Sequence, residues 1–553
     1  MIRLVSDYIL SPLGEGTQAN LEAVLRGESR LRKHTSVHGE TLPEPFIASL
    51  IESLPQMEGY TPFEAMCIKA VQGTLLNLSA RRSRSTEPVE GEHFFTPLNL
   101  SEPSCLFVFS TTKGNIWTSP AESARKVAEY FGNTTTPIVV STACTSGVTA
   151  QLTAYRLLQT GMYRRVVLIG CDVQSAFVIS GFQAFKAFSP EPCRPFDASR
   201  QGLNAGEAAA AMVLERCDEA AETEWCLLGG SIHNDANHIS APSRTAEGSL
   251  RCLEDALRLV SKDELALISV HGTGTAYNDE MESVALHRAG LSDVPVSALK
   301  GYYGHTMGAA GLLETILCIH AAEQGLVLPC KGFETPGTTY PVNLSTDVRS
   351  TDRHAFIKLL SGFGGVNAAV AWSKTNRANE TNEPQPYTIA NEVRITSAEG
   401  KDLVALYRET CGCWPKFFKM DTLCRLGFVA VEQLLKGHEN ELDPEHTAVI
   451  LANRSASLKN DTDYQATISD PANYFPSPAL FVYTLPNIVT GEIAIRHHLQ
   501  GETACYVLDK ESDLQPLVDA AMQDEQTTNA IVGWVECSAA DSYEAHVQWI
   551  VKH

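Results

Sequence analysis

The chain has 553 residues, enough for more than one domain, and its 44% hydrophobic and 20% charged residues are typical of a soluble globular protein. A formal net charge of −22 argues against nucleic acid as a partner, because phosphate backbones bind basic surfaces. The N-terminus lacks the apolar core of a signal peptide, and no run of residues is apolar enough to span a membrane, so we expect a cytoplasmic protein.

Short apolar strands alternate with amphipathic helices along the first two thirds of the chain. This alternation predicts an α/β fold with helices on both faces of a sheet, and reactive residues on the turns after strand ends. The predicted strands are 105–111, 138–142, 165–171, 208–215, 265–272 and 355–365, and the predicted helices are 61–78, 145–160, 245–260 and 306–324.

Three of these turns carry polar side chains suited to chemistry. Cys144 stands in "VVSTACTSG", before a predicted helix whose N-terminus favours the thiolate and lowers the thiol pKa. His271 follows a strand in "ISVHGTGT", and Lys300 precedes His305 in "LKGYYGHTMGAAG". Each of these residues alone is more often explained by packing. A cysteine with two histidines at separate strand ends, however, is the constellation of a nucleophilic site.

The chain changes character at residues 373–388, a polar, proline-containing segment without apolar periodicity, which predicts a linker. The 15 cysteines are scattered through apolar segments, as buried, reduced thiols usually are. Cys411 and Cys413 form a close pair in "CGCW", but no second pair follows at zinc spacing. We therefore predict no metal site.

Taken together, the motifs resemble those of the β-ketoacyl-acyl-carrier-protein synthases, the condensing enzymes of fatty acid and polyketide synthesis, over roughly residues 1–375. The matching segments are "STACTSG", "RPFDASRQGLNAGEAA", "VHGTGTAYND", "LKGYYGHTMGAAGLLE" and "SGFGGVN". The resemblance implies a thiolase-like five-layer α-β-α-β-α fold in two halves, roughly 1–215 and 216–375.

The resemblance also implies an activity, a decarboxylative Claisen condensation of an acyl thioester with malonyl-acyl carrier protein. An acyl group would load onto Cys144, and the carbanion left by decarboxylation would attack it. The enzyme would need no cofactor of its own, since the substrates ride on the phosphopantetheine arm of an acyl carrier protein. By this resemblance, His271 and His305 would donate hydrogen bonds to the enolate, and Lys300, supported by Glu314, would organise the site electrostatically. The backbone N–H groups of Cys144 and Phe363 would form the oxyanion hole. Thr273 and Thr275 would contact the phosphopantetheine arm.

The chain departs from the family pattern at two places. Ser361 stands where the family usually has a phenylalanine that gates the acyl pocket. The segment between Thr111 and Cys144 is shorter than the family's lid and dimer-contact segment.

Residues 389–553, after a linker at 376–388, resemble the N-terminal half of a second ketosynthase, similar to half-proteins of aryl polyene and flexirubin-type pathways. "TAVILAN" parallels "CLFVFST", and "NAIVGWVEC" parallels "RVVLIGCDV". "VLDKES" stands near the nucleophile's place and Cys505 lacks a small-residue turn, so we predict an inactive half-domain. We expect it to dock on the main unit or replace a dimer partner, with four anchors, Phe475, Phe481, Tyr483 and Leu485.

Other functions and partners stay open at this point. The chain could be a non-catalytic chain-length partner of another ketosynthase, although such partners usually lose the nucleophile, or it could perform thiolysis or acyl transfer without decarboxylation. We expect a homodimer or a heterodimer with another ketosynthase-like subunit. An acidic carrier protein would dock on basic residues, for which the candidates are Arg30, Arg32, Lys33, Arg81, Arg82, Arg84, Arg164 and Arg165.

Overall fold

The computed structural model describes residues 1–84, 98–218, 220–221, 224–374, 385–400 and 402–553. Its main feature is one continuous 16-stranded sheet, assembled from three five-stranded units and one short added strand. No helix in the described part of the chain is long and apolar enough to cross a bilayer.

The first unit is built from residues 2–216. Its strands are β1 (Ile2–Ser11), β2 (Gly14–Glu15), β3 (Arg32–Val37), β4 (Glu40–Ser49), β5 (Cys105–Ser110), β6 (Ile138–Val140), β7 (Arg165–Asp172), β8 (Ala205–Gly206) and β9 (Ala208–Arg216). Its helices are α1 (Thr17–Leu25), α2 (Pro62–Arg84), α3 (Pro120–Tyr130), α4 (Ser146–Gln159) and α5 (Ala176–Ala184). The sheet order is β6-β5-β7-β9-β1, with β5, β6 and β7 parallel. Strands β5 and β7 are buried at every position, as expected for parallel strands covered on both faces.

The second unit is built from residues 226–373. Its strands are β10 (Cys226–Asn234), β11 (Leu265–Ser269), β12 (Val296–Ser297), β13 (Leu326–Val327), β14 (Arg349–Ser350), β15 (Ala355–Ser361) and β16 (Val366–Ser373). Its helices are α6 (Glu247–Leu259), α7 (Ala276–Arg288), α8 (Lys300–Tyr303) and α9 (Ala310–Glu323). The sheet order is β12-β11-β15-β16-β10, and β10 joins the first unit by pairing with the start of β1.

The two units stack into five layers. Helices α4 and α9 lie between the part of the sheet that belongs to the first unit and the part that belongs to the second. Helices α2 and α3 cover the outer face of the first part, and α6 and α7 cover the outer face of the second. A side chain added at Gly147 of α4 would place its Cβ 2.9 Å from the Cα of Gly311 in α9, so the two helices cross in backbone contact. The small residues in "GAAG" permit this close crossing, which sets the distance between the two reactive turns at the helix starts.

The third unit, residues 387–552, repeats the sheet order of the first. Its strands are β17 (Tyr387–Thr396), β18 (Thr447–Asn453), β19 (Thr503–Val507), β20 (Asn529–Ala539) and β21 (Ser542–Lys552). Its helices are α10 (Leu403–Thr410), α11 (Thr422–Leu434), α12 (Leu458–Ala466), α13 (Pro478–Val482), α14 (Ile488–His497) and α15 (Gln515–Ala521). The order β19-β18-β20-β21-β17 matches β6-β5-β7-β9-β1 strand for strand, with the same parallel and antiparallel neighbours. Because β17 begins at Tyr387, the last two residues of the predicted linker lie in a strand.

The third unit docks edge to edge on the first. Strand β19 pairs with β6 in antiparallel register, with Tyr506 opposite Val140 and Val507 opposite Val139. Helix α15 packs against α4. Beside this contact, Arg156 of α4 donates to both carboxylate oxygens of Glu502 at 2.9 and 2.7 Å.

The four predicted anchors behave differently. Phe481 is buried against the first unit, whereas Tyr483 is buried in the third unit's own core. Leu485 is partly buried in that core. Phe475 is 77% exposed, so its prediction as an anchor is wrong.

The third unit ends in a polar surface. Strand β17 is the outer edge of the sheet and pairs with β21 alone among the described strands. Glu392 and Gln548 hydrogen-bond across these two strands at 3.2 Å, and His546 of β21 pairs with Glu511.

Candidate active site

Cys144 lies on a strained turn between β6 and α4. It is the middle residue of a 3-10 turn, Ala143–Thr145, and the preceding Ala143 has a φ of 53°, in the left-handed region that an alanine rarely adopts. The Ser146 hydroxyl closes the turn by donating to the Ala143 carbonyl oxygen at 2.6 Å and accepting from the Thr142 N–H at 2.9 Å. The turn aims the Cys144 side chain into a cavity of about 550 Å³.

Both predicted histidines meet the cysteine in this cavity. The Cys144 Sγ lies 3.0 Å from Nε2 of His305, and the rings of His271 and His305 are 5.0 Å apart, edge to face. One side-chain atom from each of the three residues lies within 4.8 Å of the others. The three separate sequence motifs therefore form one cluster.

A backbone contact fixes the tautomer of His305. The Met307 N–H donates to Nδ1 of His305 at 3.2 Å, so Nδ1 is an acceptor and the neutral ring carries its proton on Nε2. Nε2–H then points at Cys144 as a hydrogen-bond donor. Nδ1 of His271, in contrast, has no hydrogen-bond partner among the described residues.

Burial keeps all three side chains neutral at rest. It lowers the pKa of His271 and His305 well below the usual value, and the positive charges of Lys300 and Lys358 lower both further. Burial raises the pKa of the Cys144 thiol to about 12, and Lys300 only partly opposes this. The sequence predicted a lowered cysteine pKa from the helix N-terminus. That prediction is wrong for the resting site, because the cost of burying a thiolate outweighs the helix effect.

Lys300 acts on the cluster through other groups. Its Nζ donates to the His271 carbonyl oxygen at 2.5 Å and to Glu314 Oε1 at 2.8 Å. The other oxygen of Glu314 accepts from Lys358 of β15 at 2.5 Å. Two buried lysines share one carboxylate, which leaves a net positive charge beside the histidines. This charge disfavours a metal ion on the cysteine and histidines, although their spacing would suit one.

Two buried carboxylates hold the "HGTGT" loop. Glu282 accepts from the backbone N–H groups of His271 and Gly272 at 2.6 and 2.7 Å, and Asp279 accepts from that of Thr273 at 3.0 Å. Both acids lie on α7, directly after the loop. Thr273 and Thr275 line the cavity, and their hydroxyl oxygens are 2.8 Å apart.

The glycine-rich loop approaches the cysteine backbone. A Cβ added at Gly362 would lie 3.3 Å from the Cys144 backbone nitrogen, a tight contact that shows how closely the loop approaches the cysteine. Phe363 lines the cavity and its carbonyl oxygen accepts from Asn487 Nδ2 at 2.7 Å. Ser361, which stands where the family has its gating phenylalanine, instead donates to Asn367 Oδ1 at 2.7 Å.

The third unit forms part of the cavity wall. Phe481 fits against Gly181 of α5 so closely that a Cβ there would lie 2.1 Å from its ring. Thr484 and Leu485 line the same cavity. Lys113, on the turn after β5, also lines it and donates to Asp461 Oδ1 at 2.6 Å.

Two family models match the main part of the chain. The β-ketoacyl synthase N-terminal domain covers residues 109–220, and the C-terminal domain covers residues 226–334. Nodulation protein E of Rhizobium leguminosarum bv. trifolii is 30% identical over 275 residues, which are 48% of this chain and 67% of that protein. The chain belongs to the β-ketoacyl synthase family.

Other relatives are ketosynthases of polyketide synthesis. The tetracenomycin polyketide synthase ketoacyl synthase alpha subunit of Streptomyces glaucescens is 32% identical over 274 residues, 46% of this chain and 64% of that relative. The chain thus spans about two thirds of the length of the curated ketosynthases it matches.

Solved ketosynthase structures share the fold. A structure named PfaC keto synthase-chain length factor matches 100% of this chain and 78% of its own length, with a TM-score of 0.75 at 14% identity. The ketosynthase ApeO in complex with its chain length factor ApeC, from Xenorhabdus doucetiae, matches 67% of this chain and 97% of its own, with a TM-score of 0.55 at 21% identity. The predicted thiolase-like five-layer fold is confirmed.

The predicted docking residues for a carrier protein are only partly accessible. Arg165 is buried and donates to Glu215 at 2.8 Å, so its prediction as a docking residue is wrong. Arg32 and Lys33 are exposed on β3, and the Arg164 side chain is 63% exposed. The side chains of three further candidates, Arg81, Arg82 and Arg84, lie outside the described residues.

Three further polar residues of the site were not predicted from the sequence. Lys358 stands in "AFIKLLS", and a lysine at the centre of a buried strand needs a charged partner, which was the available signal. Asp279 and Glu282 follow the "HGTGT" loop closely, but their contacts to backbone N–H groups depend on how α7 begins.

Proposed function

We propose that the protein condenses an acyl thioester held on Cys144 with malonyl-acyl carrier protein, releasing carbon dioxide and extending the chain. The observation that carries this proposal is the fixed Nε2–H of His305, held 3.0 Å from the Cys144 sulfur by the Met307 N–H on the opposite ring nitrogen. A donor in that position serves first a sulfur anion and then an enolate oxygen. Both roles need a neutral histidine, which burial supplies.

Acyl loading is the first step. The Cys144 sulfur attacks the thioester carbonyl of the acyl carrier and loses its proton as the bond forms, since the resting thiol is neutral, and the departing carrier thiolate takes up a proton in exchange. The backbone N–H groups of Cys144 and Phe363 are the proposed donors to the resulting oxyanion, and the approach of Gly362 to the Cys144 nitrogen supports this assignment. The carrier thiol leaves, and the acyl group stays on Cys144.

Decarboxylation and condensation follow. When the malonyl carboxylate leaves as carbon dioxide, negative charge moves to the thioester oxygen, where His305 Nε2–H and His271 are the proposed donors. The net positive charge of Lys300, Lys358 and Glu314 lowers the energy of this enolate. The carbanion then attacks the acyl carbon on Cys144 and releases the thiolate.

We propose the domain division 1–375, 376–388 and 389–553, with the last segment acting as a built-in, non-catalytic second half. Its strand order and its β6–β19 pairing support this assignment. Val140 ends β6 four residues before Cys144, and Val507 ends β19 four residues before Glu511, so a glutamate stands in the place of the nucleophile. Because the segment already pairs with the β6 edge, we propose that it occupies the place of a dimer partner there.

The same segment shapes the acyl pocket. Phe481, Leu485 and the Lys113–Asp461 ion pair stand on its wall or close to it. We assign Thr273 and Thr275 to the phosphopantetheine arm of the acyl carrier protein, because they line the same cavity as Cys144. We assign the exposed Arg32 and Lys33 to carrier docking.

The rival function is a non-catalytic chain-length partner. The hydrogen bond between Cys144 and His305 counts against it, because a subunit without chemistry has no need for a strained turn that aims a thiol at a fixed donor.

The test is a two-stage assay of the full chain. The protein is incubated with acyl carrier proteins bearing different acyl groups, and intact and peptide mass spectrometry follow adducts on Cys144. Malonyl carrier protein labelled at the free carboxylate is then added, and released carbon dioxide is counted. We expect acylation of Cys144, followed by carbon dioxide release that accompanies condensation. The Cys144→Ala variant should neither become acylated nor condense. Acylation of another residue, or a wild type that neither loads nor condenses, would contradict the proposal.

A further inference from the structure

Two cysteines of the third unit approach each other on an outer loop. Cys411 follows the last residue of α10, Gly412 turns the chain with a φ of 65°, and Cys413 follows. The two sulfur atoms lie 3.5 Å apart. Neither residue lines the catalytic cavity, and the proposed condensation does not use them.

This pair is unusually accessible among the thiols of the protein. All 15 cysteines lie within the described residues, and Cys413 alone among them is exposed, while Cys411 is intermediate. The others are buried apart from Cys144, in the catalytic cavity, and Cys217. An oxidant in solution therefore meets Cys413 first.

The two thiols have different surroundings. Arg496, at the end of α14, donates from Nη2 to the Cys411 sulfur at 3.6 Å and holds Glu432 through Nε at 2.8 Å. Burial, with Glu432 adding to it, raises the pKa of Cys411 to about 11. Cys411 therefore stays a thiol at neutral pH and suits the second, resolving step of an exchange rather than the first attack.

We propose that Cys411 and Cys413 form a reversible thiol–disulfide couple that exchanges with low-molecular-weight disulfides such as glutathione disulfide. The Cys413 thiolate attacks one sulfur of the disulfide, forms a mixed disulfide and expels one thiolate, which takes up a proton. Cys411 then loses its proton to solvent and attacks the Cys413 sulfur, and the second thiol leaves. In sum, one glutathione disulfide is reduced to two thiols and the protein dithiol is oxidised to one disulfide.

The geometry favours an internal bridge over a lasting mixed disulfide. The sulfurs need to close from 3.5 Å to bonding distance, about 2 Å. Gly412 is the residue that lets the backbone follow, because it moves in the left-handed region without a side-chain penalty. The ten-residue helix α14, about 15 Å long, separates this loop from Asn487, which contacts the glycine-rich loop at Phe363. The redox state of the two cysteines can therefore be measured apart from Cys144.

The experiment uses the full chain carrying Cys144→Ala, which removes the catalytic thiol from the measurement. The protein is equilibrated anaerobically in buffers of graded glutathione disulfide to glutathione ratio, quenched with acid and alkylated. Peptide mass spectrometry then follows the segment that contains both cysteines. We expect this peptide to lose two hydrogens and both alkyl groups together, with a two-electron dependence on the buffer ratio.

Three further variants separate the roles of the two thiols. Adding Cys411→Ser should trap glutathione on Cys413, because no resolving thiol remains. Adding Cys413→Ser should leave Cys411 reduced, and Cys217→Ser, at a partly exposed thiol elsewhere, should behave as the parent. A parent protein that accumulates glutathione on Cys413 without an internal bridge, stays reduced across the whole range, or forms only disulfides between chains would overturn the proposal.

Discussion

Truncating Phe481 tests whether the third unit forms the wall of the acyl pocket. Its ring is 6% exposed, lies 5.3 Å from that of Phe182 and lines the cavity that holds Cys144. Phe481→Ala should cost about 3–5 kcal/mol of unfolding free energy. It should also enlarge the cavity, whose volume is about 550 Å³, by the space that the ring occupied.

The new space should favour longer acyl chains. Each methylene moved from water into it gains about 0.8 kcal/mol, roughly fourfold in specificity. Three more methylenes would amount to roughly 60-fold if all of them fit. We therefore expect the preferred acyl length of Phe481→Ala to rise by about three methylenes, and that of Phe481→Leu to rise less at a smaller stability cost.

The assay is a competition among acyl carrier proteins of graded chain length, read by mass spectrometry of Cys144 after short incubation. Phe475→Ala is the matched control, because Phe475 lies in the same segment but is 77% exposed and does not line the cavity. A folded Phe481→Ala or Phe481→Leu protein with the same length profile as the wild type and the Phe475→Ala control would refute the assignment of Phe481 to the pocket wall.

Three further predictions concern the reactive residues and the junction. His305→Ala should slow carbon dioxide release about 100- to 1,000-fold and acyl loading less, because its fixed donor serves the enolate; equal losses in single-turnover assays of the two steps would contradict this role. Since burial raises the pKa of Cys144 to about 12, its thiolate fraction should rise about tenfold per pH unit from pH 7 to 9; a plateau in its iodoacetamide labelling rate within that range would show a low pKa instead. Lys113→Met should lower the free energy of unfolding by about 3–5 kcal/mol, because it leaves Asp461 buried without its cation, and adding Asp461→Leu should restore most of this loss. If denaturant unfolding shows that the effects of the two substitutions simply add, the two residues are not coupled.

The main unit could be predicted in detail because its motifs carry local signals. Strands β5, β6 and β7 are continuous apolar runs. Cys144 and His271 each follow a buried apolar strand, whereas His305, predicted at a strand end, follows the short helix α8. The strands that could not be predicted, such as β1 and β17, mix apolar and polar residues, and they form only by pairing with strands that are distant in the sequence. Glu282 and Lys358 escaped notice for the same reason, because their contacts form only once separate segments meet.

The third unit shows a different limit. We expected a half-domain to expose a large apolar face, because its missing half would normally cover one. In "SYEAHVQW" of β21, however, apolar and polar residues alternate, so that Glu544, His546 and Gln548 share one side of the strand. Such alternation is typical of a sheet with one face in water, and it was visible in the sequence.

The junction between β6 and β19 joins two parts of one polypeptide, and this changes how the pocket responds to dilution. A pocket wall supplied by a separate subunit would be lost as the concentration fell below the dissociation constant of the assembly. Here Phe481 and Gly181 belong to one polypeptide, so the wall is present at an effective concentration that does not depend on the amount of protein. Each chain therefore keeps its own wall, and its specific activity should stay constant at dilutions that would separate a two-chain enzyme.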